Sequence, residues 1–145
     1  MWTDQAGPAR IATNSNGPNQ RNFMIAHAGR QWVARVLVEG SDYNGNPLLA
    51  SADGDVKANV LSHVVLTVAG GERRLYLDGR LRSVGFVPGN FADAAWNPDF
   101  PLVVGNEDGG ERPWDGDIHL LAVYDRALSE LEVAENFAAG ADPEL

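Results

Sequence analysis

Sixteen glycines and eight prolines cut this chain into short segments, and that punctuation constrains the fold more than any other feature. Glycine and proline interrupt long helices and mark turns, so the intervening stretches must find order by pairing with one another. Those stretches are rich in β-branched, aromatic and aliphatic residues, often in alternation. The pattern predicts an all-β antiparallel sandwich of the jelly-roll type. Expected strands run over Ala9–Thr13, Asn22–Ala28, Gln31–Val38, Leu61–Val68, Arg73–Leu77, Leu81–Val87, Leu102–Val104 and Asp117–Tyr124. No fixed-period repeat is visible. At 145 residues the chain suits a single domain, spanning 1–145, with one core.

Two turns and one helix can be assigned from local chemistry. Asp78-Gly79 stands between Leu75-Tyr76-Leu77 and Arg80-Leu81. An Asp-Gly pair tolerates positive φ at both central positions of a type I′ turn, whose twist matches the strands on either side. Ala69-Gly70-Gly71 closes Val64–Val68 onto Arg73–Leu77 in the same way, so three strands form a meander. Near the C-terminus, Ser129 and Glu132 spell a capping box, and Leu128 and Val133 are spaced as a hydrophobic staple. Leu131, Ala134, Phe137 and Ala138 add apolar positions, Gly140 supplies the stop, and Asp142-Pro143 ends the fold. The expected helix is short and packs at the sandwich edge.

Composition excludes several classes. With no cysteine, disulfide scaffolds, thiolate zinc sites and cysteine nucleophiles are ruled out. No apolar run approaches a membrane span. The first residues, Met1-Trp2-Thr3-Asp4, do not read as a secretory signal. Residues 1–105 carry nine basic and nine acidic side chains, whereas 106–145 carry two arginines against eleven carboxylates, giving the whole net charge of −9. The basic cluster Arg73, Arg74, Arg80 and Arg82 is interleaved with Glu72 and Asp78, so no nucleic-acid footprint is expected.

Four elements then occur in order: Leu75-Tyr76-Leu77-Asp78-Gly79, Leu102-Val103-Val104-Gly105-Asn106-Glu107, Arg112-Pro113-Trp114-Asp115-Gly116-Asp117-Ile118, and Tyr124-Asp125-Arg126-Ala127-Leu128-Ser129. Together they resemble the laminin-G-like domains of the concanavalin A-like lectin/glucanase superfamily, in the branch found in large multidomain extracytoplasmic bacterial proteins. Gly7-Pro8-Ala9-Arg10-Ile11 and Arg21-Asn22-Phe23 extend the resemblance upstream, to about residues 7–140. It implies a jelly roll and a non-catalytic module that binds carbohydrate or protein, carried extracytoplasmically within a larger protein. Relatives of this kind usually begin with further strands upstream of the Gly7 match. The resemblance therefore implies either a sandwich that closes differently or an open sheet edge, available to a neighbouring domain or a second copy.

Candidate chemistry lies in carboxylate pairs, oxygen-rich loops and aromatic platforms. Glu130, Glu132 and Glu135 fall on the capped helix, where they complement its dipole. Asp115-x-Asp117 enters an expected strand, where positions i and i+2 share a face as a glycosidase carboxylate pair requires. No third carboxylate follows at that spacing, so an enzyme is the lesser reading. Calcium takes oxygen ligands, and relatives of the resembled group often hold it at a loop rim. Asn106, Glu107, Asp108, Asp115 and Asp117 form one oxygen-rich group, and Asp42, Asn44, Asp53 and Asp55 a second. The same residues suit ordinary turns. His27, His63 and His119 stand apart and are expected to be structural. For sugar recognition, Tyr43, Trp96, Asn106, Glu107, Arg112 and Trp114 have the right chemistry, aromatic platforms beside planar hydrogen-bonding groups. Trp32 belongs to the core by its setting, while Trp114 suits core and platform equally.

Overall fold

The computed structural model describes residues 8–89 and 95–141. The expectations for Gly7 and for Asp142-Pro143 lie outside the described residues. Among the described residues eight strands precede one helix: β1 Ala9–Ser15, β2 Arg21–Ala28, β3 Gln31–Val36, β4 Leu49–Ala50, β5 Val64–Ala69, β6 Glu72–Leu77, β7 Arg80–Phe86, β8 Leu102–Val104 and α1 Glu130–Ala139. They form two antiparallel sheets, one ordered β4-β3-β2-β1-β8 and one ordered β5-β6-β7. The expected jelly-roll-type sandwich with a short C-terminal helix is therefore present.

The core lies between the sheets. Trp32, Ala34 and Leu49 from the larger sheet meet Leu75 from the smaller, with Leu66, Leu77 and Trp114 packed around them. Val36 and Val38 continue this inner layer against Val87 and Phe23. Alternation along β3 sends Val33 and Arg35 to the outer face, where Val33 joins Met24 and Ala26. The meander forms as expected. Asp78 and Gly79 both take positive φ, 49° and 79°, as a type I′ turn demands. Strand β4 carried no sequence signal: two residues lack a period of their own and pair only because Val33 and Ala34 present an edge.

The helix begins as its capping box dictates. Ser129 Oγ accepts from Glu132 N, and the Glu132 carboxylate accepts from Ser129 N. Leu128 and Val133 pack with Tyr76, which sets the helix on the outer face of the small sheet, against its edge strand β7. Val133 is its one buried residue; Leu131 and Phe137 stay exposed.

One expected strand is absent among the described residues. Asp117–Tyr124 has high β propensity but belongs to neither sheet. Propensity describes fit to a pleated surface, and a strand exists only where a neighbour supplies its hydrogen bonds. Among the described residues no strand runs beside this segment, and Leu120, Val123 and Tyr124 are exposed. Strand β8 pairs with β1 on one side alone, and its Leu102 and Val104 are also exposed.

Two irregularities in the β1–β2 ladder rearrange its outer face. The register shifts between Arg10 and Ala12 and again between Asn14 and Ser15. Each bulge changes which side chains point outward. As a result Arg10, Thr13 and Ser15 share the outer face with Arg21 and Met24, although strict alternation would have divided them.

Candidate functional site

The polar chemistry of the chain gathers on this outer face and at the adjoining strand ends. Its centre is Glu107, in the loop after β8, fully buried and set over the larger sheet. Arg10 Nε donates to Oε2 at 2.7 Å and Arg21 Nη1 donates to the same oxygen at 3.2 Å. The Ser15 hydroxyl donates to Oε1. Burial alone would raise the Glu107 carboxyl, but the Ser15 hydroxyl and the two guanidinium groups outweigh it and hold the group below the ordinary glutamate range. A carboxylate so engaged is a structural node, which ties the 105–112 loop to β1 and β2.

The loop itself is built around Asn106. Its Oδ1 accepts from the backbone N–H of Glu107 at 2.8 Å and of Arg112 at 2.9 Å. Arg10 N donates to the Arg112 carbonyl at 3.0 Å, so the loop returns alongside β1. The Arg112 side chain is half-buried, and its Nε has no hydrogen-bond partner among the described residues.

A second loop, after β3, rises at the strand ends. Asp42 accepts from Asn44 N at 3.0 Å, Asn46 N at 2.9 Å and Asn46 Nδ2 at 2.9 Å. Those bonds, the Asn46 backbone first, lower its carboxyl. Gly45 holds the loop flat on β3. Its φ is +75°, and a Cβ there would meet Val36 N at 2.9 Å. From the smaller sheet, buried Arg73 donates through Nη1 to the Pro47 carbonyl at 2.6 Å and pins the far side of the loop. Tyr43, at the crest, is 76% exposed, and its carbonyl accepts from Arg21 N at 3.0 Å.

The third loop, 95–101, closes the end of the sandwich through asparagine chemistry. Asn22 Nδ2 donates to the Asn97 carbonyl at 2.8 Å and Asn22 Oδ1 accepts from Asn97 N at 2.9 Å. Asn14 Nδ2 donates to the Phe100 carbonyl at 2.7 Å. Trp96 Nε1 donates to the Leu37 carbonyl at 2.8 Å, and its ring lies 5.9 Å from Phe23. Between the second and third loops is a depression lined by Gln20, Arg21, Asn22, Leu37, Tyr43, Ala95, Asn97 and Phe100.

The six residues singled out for ligand contact therefore divide into three groups. Tyr43 lines the depression and Trp96 flanks it between two of its lining residues. Asn106, Glu107 and Arg112 share one loop, joined to the depression through Arg21. Trp114 is tied to that loop by its N–H, which donates to the Gly105 carbonyl at 2.8 Å, but its ring turns into the core, 6.1 Å from Trp32 and 5.4 Å from His27, at the opposite end of β2 from Arg21. Six residues of strand separate Arg21 from His27, about 20 Å. Composition pointed to none of Gln20, Asn22, Asn97 and Arg35. Asparagine and glutamine are common loop residues, and Arg35 gains meaning only from its neighbours across the sheet.

The oxygen-rich groups are also accounted for. Asp42 is occupied by Asn44 and Asn46, Asp55 takes the Arg82 guanidinium and Ala52 N, and Asp108 accepts from Gly17 N at 3.1 Å. Among the described residues no three His, Asp or Glu side chains converge as a metal's ligands would. Asp115 and Asp117 are both exposed, on backbone that belongs to no strand.

An antiparallel two-sheet sandwich with its polar groups on one outer face and its loops gathered at the strand ends defines a jelly-roll class of protein. Within that class, a family model named Laminin_G_3 and described as the concanavalin A-like lectin/glucanases superfamily matches residues 2–134, and the chain belongs to this family. No curated protein matches the chain. Among solved structures it is similar to an S-layer domain-containing protein from Clostridium thermocellum, at 19% identity and a TM-score of 0.39. That match covers 93% of this chain and 65% of the other, so the present chain spans less than two thirds of the solved one. Among the described residues no helix is long and apolar enough to cross a membrane.

Proposed function

We propose that this chain is a non-catalytic, extracytoplasmic binding module that takes carbohydrate at the strand-end depression. The observation that carries the reading is exposed Tyr43 lining one hollow together with Gln20 and Asn97. Sugar rings offer apolar faces to an aromatic platform and hydroxyls to amides, and both kinds of contact are on hand here. The hollow is mounted on rigid supports, because hydrogen bonds hold Arg21, Asn22 and Asn97 in place.

The non-catalytic part rests on the one carboxylate pair spaced for glycosidase chemistry: Asp115 and Asp117 are both exposed, on backbone that belongs to no strand among the described residues, whereas such a pair must be held across a cleft at fixed separation. Titration of the chain against a panel of neutral and acidic oligosaccharides tests the reading, with Tyr43→Ala as the variant. Loss of an aromatic platform is expected to weaken binding about tenfold. A panel with no binder, or a Tyr43→Ala chain that binds as well as wild type, refutes it.

A second reading, assembly through the sheet edge, is favoured by a separate observation. Leu102 and Val104 on β8 are exposed, and so are Leu120, Val123 and Tyr124 on the 117–124 segment, which joins neither sheet among the described residues. Edge strands with apolar side chains invite pairing with another chain. Light scattering after size exclusion, run with calcium and again with chelator, tests this. A mass that stays monomeric over a wide concentration range ends it.

A further inference from the structure

Two stretches of this chain are open to strand pairing, and they carry opposite charge. The first is the outer edge of β7, which among the described residues ends the smaller sheet and pairs with β6 on one side alone. The bulge opposite Leu75 and Tyr76 falls at Arg82, so residues 83–86 are the straight part of that edge. Val84 and Phe86 are exposed there, Phe86 at 70%. The charges on the strand are Arg80 and Arg82, both exposed. Arg82 is paired with Asp55, whereas Arg80 has no ion-pair partner among the described residues. The second stretch is 117–124, whose composition suits a strand and whose backbone makes no hydrogen bond among the described residues. Leu120, Val123 and Tyr124 are exposed along it, Val123 at 68%, and Asp117 and Asp125 stand at its ends. Backbone groups and apolar side chains left to water in this way are what an added strand covers.

We infer that 117–124 of one copy adds as a strand to the outer edge of β7 in a second copy, so that copies join head to tail. The inference deepens the assembly reading above and rests on it, naming the two surfaces that meet. Charge selects this pairing. Edge arginines guard a strand against its own copy, because two β7 edges side by side would bring Arg80 and Arg82 against their equivalents. Two 117–124 segments side by side meet a larger obstacle, since residues 106–145 hold the whole net charge of −9. The mixed pairing instead sets the arginines of β7 against a segment bounded by Asp117 and Asp125, and it buries apolar side chains from both surfaces. The other strands that end a sheet, β4, β5 and β8, carry no charged residue and offer the acidic segment no such match. Because the two surfaces differ, the contact is heterologous: it passes from copy to copy into a ring or an open chain and does not stop at a dimer.

The test blocks each surface separately and then mixes the blocked chains. Val84→Glu puts a negative charge on the edge that an acidic segment must approach. Val123→Pro removes a donor from 117–124, where the backbone has no hydrogen bond among the described residues to lose. Both side chains are exposed, and thermal melts check that each variant folds as wild type does. If Val84→Glu fails that check, Arg80→Glu takes its place. By light scattering, wild type is expected to gain mass with concentration, and each variant alone to associate at least about tenfold more weakly. An equimolar mixture of the two is expected to form a dimer and nothing larger, because each chain keeps one competent surface. A mixture that stays monomeric, or variants that associate as wild type does, overturns the inference and leaves assembly through another edge standing. A single substitution that disperses the chain while the other has no effect overturns it too, and assigns the contact to two copies of one surface. A fall in mass for Val104→Lys, with Val84→Glu unchanged, moves the accepting edge from β7 to β8. Wild type that stays monomeric over a wide concentration range overturns the assembly reading as well.

Discussion

Glu107 shows how much one residue can decide. A buried carboxylate without partners would be expelled or neutralised, whereas this one holds two arginines and a serine hydroxyl in a space closed to water. Glu107→Gln leaves Arg10 and Arg21 without their counter-charge and is expected to cost about 3–5 kcal/mol, read from the urea midpoint. The same residue sets an acid limit. Its folded carboxyl sits below the ordinary glutamate value, so its contribution is complete above about pH 4.3 and is lost as pH falls through the folded value. Wild type should therefore lose more stability between pH 7 and pH 3 than Glu107→Gln does. Equal losses would mean that the ion pair is not what acid removes. Half-buried Glu132, lowered to about 2 by Arg126 and the Ser129 N–H, shifts in the same direction. Arg35 is the converse case, a charge with neighbours but no acceptor among the described residues.

At the scale of elements, turns and caps behaved as their local chemistry demanded. Gly79 takes φ of +79°, and a side chain there would also press on Phe137 Cδ2 at 3.1 Å. Gly79→Val should cost about 1–3 kcal/mol, seen as a lower thermal midpoint, and Gly79→Asn much less. The capping box makes Ser129→Ala worth about 1 kcal/mol. An unchanged urea midpoint in that variant would show the helix to be held by Leu128 and Val133 alone. The segment Asp117–Tyr124 has every local mark of a strand but pairs with no strand among the described residues, because pairing is a property of two segments. Strand β4 is the mirror image, a strand with no local mark that exists because β3 offers an edge.

For the whole molecule, the sheets are unequal, and among the described residues the larger ends in β8, paired on one side alone. Leu102 and Val104 face outward on β8, and apolar side chains of the 117–124 segment add to the exposed surface. If this surface drives association, Val104→Lys should lower the average mass seen by light scattering at high concentration, because a charged edge resists pairing. An unchanged mass would direct attention to Leu120 and Val123. Ligand binding at Tyr43 should be indifferent to that substitution, since the depression and β8 are served by different residues.

Much of the fold was legible because its instructions are local. Asp78-Gly79, the Ser129–Glu132 box and the alternation through β1, β2 and β3 act between residues a few positions apart, and the amino-acid order alone determines them. The polar site was legible only as types. Tyr43, Asn106 and Arg112 could be chosen for their chemistry, but nothing in the sequence pairs Glu107 with Arg10, Ser15 and Arg21, which lie 97, 92 and 86 residues away. Two bulges in one ladder decide that those side chains share a face, and a bulge is read from the partner strand rather than from the strand that carries it. The chain by itself thus determined its turns, its cap and its class of sandwich. Tertiary structure alone decided which charges meet, which remain unsatisfied, and which β-prone segment goes unpaired, because each depends on a neighbour brought from far along the chain.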